Sequence, residues 1–165
     1  MENTNAEDIH AALSWIIEIL NRHHIPYQIV GGLAAQAYGA TRPLVDIDLY
    51  APLEKAEGVL DEIRPYVTRE LMPHLSASWD LVYMALNYQG QDIEIGDTTP
   101  TPRFFNHRDG HWELQAIDHS RSNVVNIYGV DANIMPKDEL LSYKAMLARE
   151  VDAIDLKQIT DADGN

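Results

Sequence analysis

Length, composition and charge exclude several classes of protein. The chain has 165 residues, 45% of them hydrophobic and 23% charged, which is typical of a folded domain and not of a disordered chain. It contains no cysteine, so disulfides, thiolate metal sites and a cysteine nucleophile are excluded. The 26 acidic and 12 basic residues give a formal charge of −14, which disfavours a broad surface for nucleic-acid phosphates and favours a cationic ligand or a metal. We expect one domain over residues 1–165.

The sequence also allows a prediction of the cellular compartment of the protein. The longest uncharged stretch, residues 25–41, is short and is interrupted by Pro26 and by glycines that include Gly31 and Gly32, so no membrane span is predicted. Residues 1–8 are acidic where a signal peptide requires cations. We therefore expect a cytoplasmic protein.

The first half of the chain alternates between helical and extended patterns. Apolar residues recur every three or four positions over residues 6–23 and predict an amphipathic helix, with Ile9, Leu13, Ile16, Ile17 and Leu20 on its apolar face. A short strand at 27–30 leads into two glycines and an alanine-rich helix start at 33–38. A strand at 46–50 and a helix at 53–66 follow.

The second half is predicted to be mainly extended until its last third. Segments 79–88 and 91–96 flank Gln89-Gly90 and predict a hairpin. Residues 97–110 contain two prolines and predict a long loop, and strands follow at 112–117 and 124–134, with a turn or bulge at Gly129. Helices are predicted at 136–150 and 153–159. This order predicts an α+β or α/β fold with a mixed sheet flanked by helices.

Two aspartates in the second predicted strand are the strongest chemical signal. Side chains two apart in a strand share a face, so Asp46 and Asp48 point together while Ile47 and Leu49 point to the core. Adjacent carboxylates repel each other unless a cation lies between them, and Mg²⁺ prefers oxygen ligands. A solvent-facing strand edge would give the same alternation, so the pair alone does not decide.

A second acidic pair strengthens the metal interpretation. Asp92 and Glu94 alternate with two isoleucines in the same way, and if both strands lie in one sheet, three or four carboxylates converge. Such a cluster is typical of two-metal phosphoryl or nucleotidyl transfer.

Phosphate-binding candidates lie between the first strand and the aspartates. Gly31 and Gly32 stand at a strand-to-helix turn, where glycine lets the backbone approach a ligand and the helix N–H groups can face phosphate. Arg42 could hold phosphate oxygens in an otherwise acidic chain. A tight turn and a surface arginine are the alternatives.

These residues together resemble a known family. The segment 30–34, with Tyr38-Gly39, Thr41-Arg42 and Asp46-Ile47-Asp48-Leu49, resembles the signature of the polymerase-β-type nucleotidyltransferases. It is most similar to the small lincosamide and aminoglycoside 2″-nucleotidyltransferases and to related toxin-like nucleotidyltransferases. Residues 129–141 with Lys144, and residues 151–160, are similar to the C-terminal helices of those proteins. The resemblance implies the nucleotidyltransferase fold, a mixed sheet with C-terminal helices.

The resemblance also implies roles for individual residues. Asp46 and Asp48 would bind metal, with two Mg²⁺ ions and a nucleoside triphosphate as co-substrate. Asp92 best matches the third carboxylate or a general base, and Glu94 is the alternative. Lys144, with Gly31, Gly32 and Arg42, would contact the nucleotide.

The expected function is metal-dependent transfer of a nucleoside monophosphate to a hydroxyl group of a small, cationic acceptor. One alternative is a toxin-like nucleotidyltransferase that modifies RNA or protein, although the charge of −14 disfavours RNA. Another is a nucleotide-binding module without catalysis. The sequence leaves the choice of nucleotide, the acceptor and a homodimer open.

Overall fold

The structure is a computed structural model that describes residues 6–164, so the N-terminal segment discussed above lies partly outside the described residues. Within that range the helices are α1 (Ala6–Arg22), α2 (Gly31–Ala37), α3 (Glu57–Ile63), α4 (Lys137–Leu147) and α5 (Glu150–Asp163). The strands are β1 (Gln28–Val30), β2 (Ile47–Ala51), β3 (Val67–Leu75), β4 (Trp79–Tyr88), β5 (Gln91–Asp97), β6 (Arg103–Asn106), β7 (His111–Leu114), β8 (Asn123–Ile127) and β9 (Val130–Ile134). None of the described helices is long and apolar enough to cross a membrane.

The strands form one mixed sheet. Its order is β7-β6-β4-β5-β2-β1-β9-β8, with β3 paired to β4. The β2–β5 and β1–β9 pairs are parallel, whereas β1–β2 and the remaining pairs are antiparallel. This confirms the predicted mixed sheet flanked by helices. One domain over residues 1–165 stays a prediction.

The core lies between the sheet and the helices. All five apolar residues predicted for the first helix are buried, and α1 packs against β5, β9 and α3. Helices α2, α4 and α5 pack against one another. Burial of an amphipathic face is the main source of stability for helices of this length.

Strand register brings the two acidic pairs together. In the parallel β2–β5 pair, Asp48 is opposite Glu94, and Ile47 is opposite Ile93. The isoleucines are fully buried. Because side chains alternate across a sheet, the acids on both strands must share the other face.

The predicted hairpin over residues 79–96 is present as β4–β5, and the predicted turn at Gly129 joins β8 and β9, but three segments were predicted wrongly. Residues 97–110 contain β6, which pairs with β4 and β7. Strand β3 was missed because it is an edge strand that contains a proline, Pro73, which edge strands tolerate, and its register with β4 shifts at two places. The predicted helix over 53–66 is broken into α3 and two 3₁₀ turns, Leu53–Lys55 and Arg64–Tyr66.

Gly96 provides a test of this packing. It lies opposite Tyr50 on the neighbouring strand, and a Cβ added to it would be 2.4 Å from the Tyr50 Cε1 atom. Because Tyr50 is buried, Gly96→Ala should lower the free energy of unfolding by roughly 1–3 kcal/mol, measured by denaturant titration.

Two companion variants separate this clash from a general glycine effect. Gly164→Ala should cost little, since the closest described atom outside its neighbours along the chain lies 3.6 Å from the added Cβ. Gly96→Ala should cost less in a Tyr50→Leu background than in the wild type. An equal cost in both backgrounds would contradict the assignment.

Candidate active site

Three carboxylates from two neighbouring strands form one cluster. Asp46 precedes β2, Asp48 lies on β2 and Glu94 lies on β5. One oxygen from each lies within 4.8 Å of the others, and each residue is partly buried. This spacing is suitable for three ligands to one cation, and the hard oxygen donors suit a divalent ion such as Mg²⁺.

Asp48 has the least favourable surroundings for a bare carboxylate. Its Oδ1 atom is buried and accepts no hydrogen bond from residues 6–164. Burial, followed by the charges of Asp46 and Glu94, raises the pKa of Asp48 well above its usual range. An unpartnered buried carboxylate oxygen is costly, and a bound cation would remove that cost.

Asp46 and Glu94 interact through a side-chain hydrogen bond and through their charges. Burial, then the charge of Asp46 and a hydrogen bond between the two side chains, raises the pKa of Glu94 to about 7. The pKa of Asp46 is also raised, first by burial and then by the charge of Asp92. One proton is therefore readily retained in this pair near neutral pH when no cation is present.

Gly31 packs directly against the side chain of Asp48. Its φ of +64° lies in the left-handed region, which favours glycine, and a Cβ there would be 2.6 Å from Asp48 Oδ2. The first helical residue of α2 is thus required to be glycine for two reasons. The glycine pair singled out in the sequence borders the carboxylates.

A cleft of about 410 Å³ opens over the cluster. One wall consists of β2 and β5 with the three carboxylates, and another carries aromatic and apolar side chains of β3 and β4. The members of that second wall are His74, Trp79, Leu81 and Tyr83. Arg69 lies 3.8 Å from the ring centroid of Tyr83 and supports this wall by a cation–π contact. The cleft has the size of a small-molecule site.

Asp92, preferred as the third carboxylate from the sequence, does not belong to the three-carboxylate cluster. It is exposed and accepts a hydrogen bond from Asn87 Nδ2 at 2.8 Å. The register places Glu94, not Asp92, opposite Asp48. Asp92 acts on the cluster through its charge, which raises the pKa values of Asp46 and Glu94.

Arg42 and Lys144, expected to contact nucleotide phosphates, are paired with carboxylates of α5. Arg42 donates two hydrogen bonds to Asp155, at 3.0 and 2.9 Å. Lys144 is 1% exposed and lies 3.2 Å from Asp152 and 3.0 Å from Asp155. Neither cation lines the cleft. Their ion pairs with the α5 aspartates hold α5 against α4 and against the segment after α2.

Arg149 is the cleft residue that the sequence analysis missed. It lies between α4 and α5 and lines the cleft, where it is the sole lysine or arginine among the described lining residues. Its guanidinium donates to Asp152 at 2.7 and 3.0 Å, and its side chain is 39% exposed. Its charge opposes the rise in the pKa of Asp48. No local motif marks it, because only the fold brings it to the carboxylates.

Comparisons with known proteins identify the fold. No family model matches the chain, and no curated protein matches it. A solved structure of a Thermotoga maritima protein classed as a nucleotidyltransferase matches with a TM-score of 0.71 and 17% identity, over 97% of each chain. The lincosamide antibiotic adenylyltransferase LnuA, with lincomycin bound, matches at 0.63 and 15% identity, over 98% of this chain and 99% of its own.

A third structure extends the comparison. ANT(2″)-Ia in complex with adenylyl-2″-tobramycin matches with a TM-score of 0.58 and 15% identity, over 94% of this chain and 89% of that one. These matches confirm that the chain has the nucleotidyltransferase fold and that the resemblance read from residues 30–49 holds at the level of the fold.

The carboxylate cluster predicts an unusual response of stability to mutation. In a chelator, Asp48→Asn should raise the free energy of unfolding, because it removes a buried charge that Asp46 and Glu94 repel. One pKa unit corresponds to about 1.4 kcal/mol. Folding raises the pKa of Asp48, so ionisation of Asp48 destabilises the folded protein once the pH exceeds the pKa of the unfolded state. The stability gained by Asp48→Asn should therefore be absent below pH ~4 and grow as the pH rises.

Adding Mg²⁺ or Mn²⁺ should reverse the order of stability. The wild type should gain melting temperature because the ion binds the folded state, and Asp48→Asn should not. Asp131→Asn is the matched control, since Asp131 is exposed and accepts a hydrogen bond from Asn126 in the hairpin of β8 and β9. Destabilisation by Asp48→Asn in chelator would contradict the account.

Proposed function

We propose that this protein is a metal-dependent nucleotidyltransferase that moves a nucleoside monophosphate from a nucleoside triphosphate to a hydroxyl group of a small, cationic molecule. The observation that carries the proposal is the cluster of Asp46, Asp48 and Glu94 at the base of the cleft. Like charge of this density has no structural use in a sheet and is suited to the cations of phosphoryl chemistry. The nucleotidyltransferase fold supports the same reaction class.

The proposed reaction forms one bond and breaks another at the α-phosphorus. The acceptor hydroxyl oxygen attacks this phosphorus, the bond to the oxygen that bridges the α- and β-phosphates breaks, and pyrophosphate leaves. Asp46, Asp48 and Glu94 would hold Mg²⁺, which when bound offsets the phosphate charge and stabilises charge in the transition state. Two Mg²⁺ ions are part of the proposal, with the phosphates of the nucleotide as further oxygen ligands.

Glu94 is the proposed acceptor of the hydroxyl proton. One Glu94 carboxylate oxygen belongs to the cluster, so the other oxygen of the same carboxylate could accept the proton. A bound cation would lower the pKa of Glu94 below the value of about 7 that it has in the ion-free cluster, and so keep the carboxylate ionised. Asp92 keeps an electrostatic role through its effect on Asp46. Gly31 and Gly32 are proposed to let the nucleotide approach β1 and α2, because neither adds a side chain to that wall.

A cationic acceptor is favoured by charge. The cleft contains three carboxylates, and the chain as a whole carries −14, so amines are attracted and anions repelled. Two proteins of the same fold are described with lincomycin bound and with an adenylyl derivative of tobramycin. An amino-sugar or lincosamide type of acceptor is therefore proposed for this chain.

Mass spectrometry tests the function directly. The protein should be incubated with Mg²⁺, each nucleoside triphosphate in turn, and paired acceptors of similar size that carry amines or only hydroxyls. A mass increase of one nucleoside monophosphate is expected on an amine-bearing acceptor, together with pyrophosphate, and none in chelator. Because the attraction is electrostatic, transfer should weaken as salt rises.

Other outcomes separate the rival functions. Modification of a transfer RNA or of a protein at a comparable rate would favour the toxin-like alternative. Nucleotide binding without transfer to any acceptor would favour the non-catalytic module. Faster transfer to neutral acceptors, unaffected by salt, would contradict the charge argument alone.

The third carboxylate gives a sharper prediction. Glu94→Gln should reduce kcat by roughly 10²-fold or more, because it removes both a ligand and a proton acceptor. Asp92→Asn should reduce it less than ~10-fold, since Asp92 lies outside the cluster and acts only through its charge.

The control for Asp92 is Asp131→Asn, which removes a similarly hydrogen-bonded aspartate from the other hairpin. It should leave kcat unchanged. If Asp92→Asn is the more damaging of the two site variants, then Asp92 and not Glu94 completes the site.

A further inference from the structure

A chain of alternating charges extends from the segment after α2 to the cleft. Its members in order are Arg42, Asp155, Lys144, Asp152 and Arg149, and each neighbouring pair is joined by an ion pair of 2.7–3.2 Å. The two aspartates are fully buried and Lys144 is 1% exposed. Only the two arginines at the ends contact solvent, and only Arg149 lies in the cleft.

The network of alternating charges has an excess of positive charge. Three cations share two carboxylates, so the network carries a formal charge of +1. Asp152 interacts with Lys144 as well as with Arg149, and therefore does not neutralise the guanidinium alone. In a medium of low polarity this excess charge acts over a longer distance than in water.

Arg149 is also held in place more firmly than a surface arginine. Asp152 accepts two bonds from its guanidinium and a third from its backbone N–H at 3.1 Å. The carboxylate is itself fixed by the buried Lys144. Arg149, which lines the cleft and has a side chain that is 39% exposed, is consequently held there in a defined orientation.

We propose that Arg149 binds the triphosphate of the nucleotide and the departing pyrophosphate, and that Asp152, Lys144, Asp155 and Arg42 position it. This rests on the proposed function and adds to it the residue that supplies protein positive charge to the phosphates. The carboxylates cannot bind phosphate without a cation, and Arg149 is the lysine or arginine that the described cleft lining offers. A guanidinium can bind Asp152 and phosphate oxygens at once because its five N–H donors lie in one plane.

Binding of two probes tests the proposal without requiring turnover. The probes are magnesium tripolyphosphate and the magnesium complex of α,β-methylene ATP, titrated into wild type, Arg149→Ala and Arg149→Lys by calorimetry. Arg149→Ala should weaken both probes by the same factor, roughly 10- to 100-fold, the range expected for hydrogen bonds to a charged group. Arg149→Lys should be intermediate, since it keeps the charge but loses the planar arrangement of donors.

The positioning role has its own readout. Asp152→Asn should weaken tripolyphosphate binding less than Arg149→Ala does, and Asp152→Glu should restore part of it. Binding of Mn²⁺ alone should change much less than binding of tripolyphosphate in the Arg149 and Asp152 variants, because the three carboxylates of the cluster are intact and Arg149 acts on them only through its charge. Melting temperatures measured beside each titration identify any variant that fails to fold, and Arg149→Lys then carries the test.

Arg64 and Asp61 provide matched controls. They form an exposed arginine–aspartate pair three residues apart, like Arg149 and Asp152, and neither lines the cleft. Arg64→Ala and Asp61→Asn should leave both titrations unchanged.

The outcomes separate this proposal from the proposed function. If Arg149→Ala binds both probes as tightly as the wild type, Arg149 has no phosphate role, even where transfer is observed. If wild type binds neither probe, the phosphate role is also overturned. If Arg149→Ala weakens binding but wild type modifies no acceptor, Arg149 binds triphosphate and the transferase proposal fails.

Discussion

Repulsion among three carboxylates is the constraint on which the site depends. Asp46, Asp48 and Glu94 are brought within 4.8 Å of one another by the parallel pairing of β2 and β5. The same pairing buries isoleucines on the opposite face, and hydrophobic burial there compensates for unfavourable charge on this one. The folded protein therefore carries an unfavourable electrostatic interaction in its central sheet, and a bound cation would relieve it.

Positive charge is kept near this cluster without neutralising it. Lys144 and Arg42 could have paired with the cluster directly, but they contact Asp152 and Asp155 on α5 instead. Direct ion pairs with Asp46 or Asp48 would compete with a metal for the same oxygens. Separate aspartates for the cations leave the cluster free, and the buried network fixes the helices that border the cleft.

Local sequence patterns predicted that the carboxylates share one face of the sheet. The third carboxylate, the cleft arginine and strand β6 depend on long-range contacts that such patterns do not contain. Alternation with isoleucine and leucine was sufficient to place Asp46, Asp48 and Glu94 on one face of a sheet. It could not choose between Asp92 and Glu94, because both lie on that face and only the register with β2 distinguishes them. The position of Arg149 in the cleft could not be predicted from the sequence, because its partner lies on α5 and its neighbours in the cleft lie on β2 and β5. Strand β6 was missed for a similar reason, because its pairing with β4 and β7 depends on contacts distant in sequence.

The placement of charge around the cleft constrains how two substrates could share it. Under the proposed function, the triphosphate must lie between the cation held by the carboxylates and the guanidinium of Arg149, since these are its two sources of positive charge. The wall of His74, Trp79 and Tyr83 then remains for the acceptor. Aromatic faces attract cations, and the contact of Arg69 with Tyr83 illustrates this in the same wall. An amine-bearing acceptor would thus meet aromatic faces on one side and carboxylates on the other. Its attacking hydroxyl would be directed toward Glu94, at the junction of the two walls.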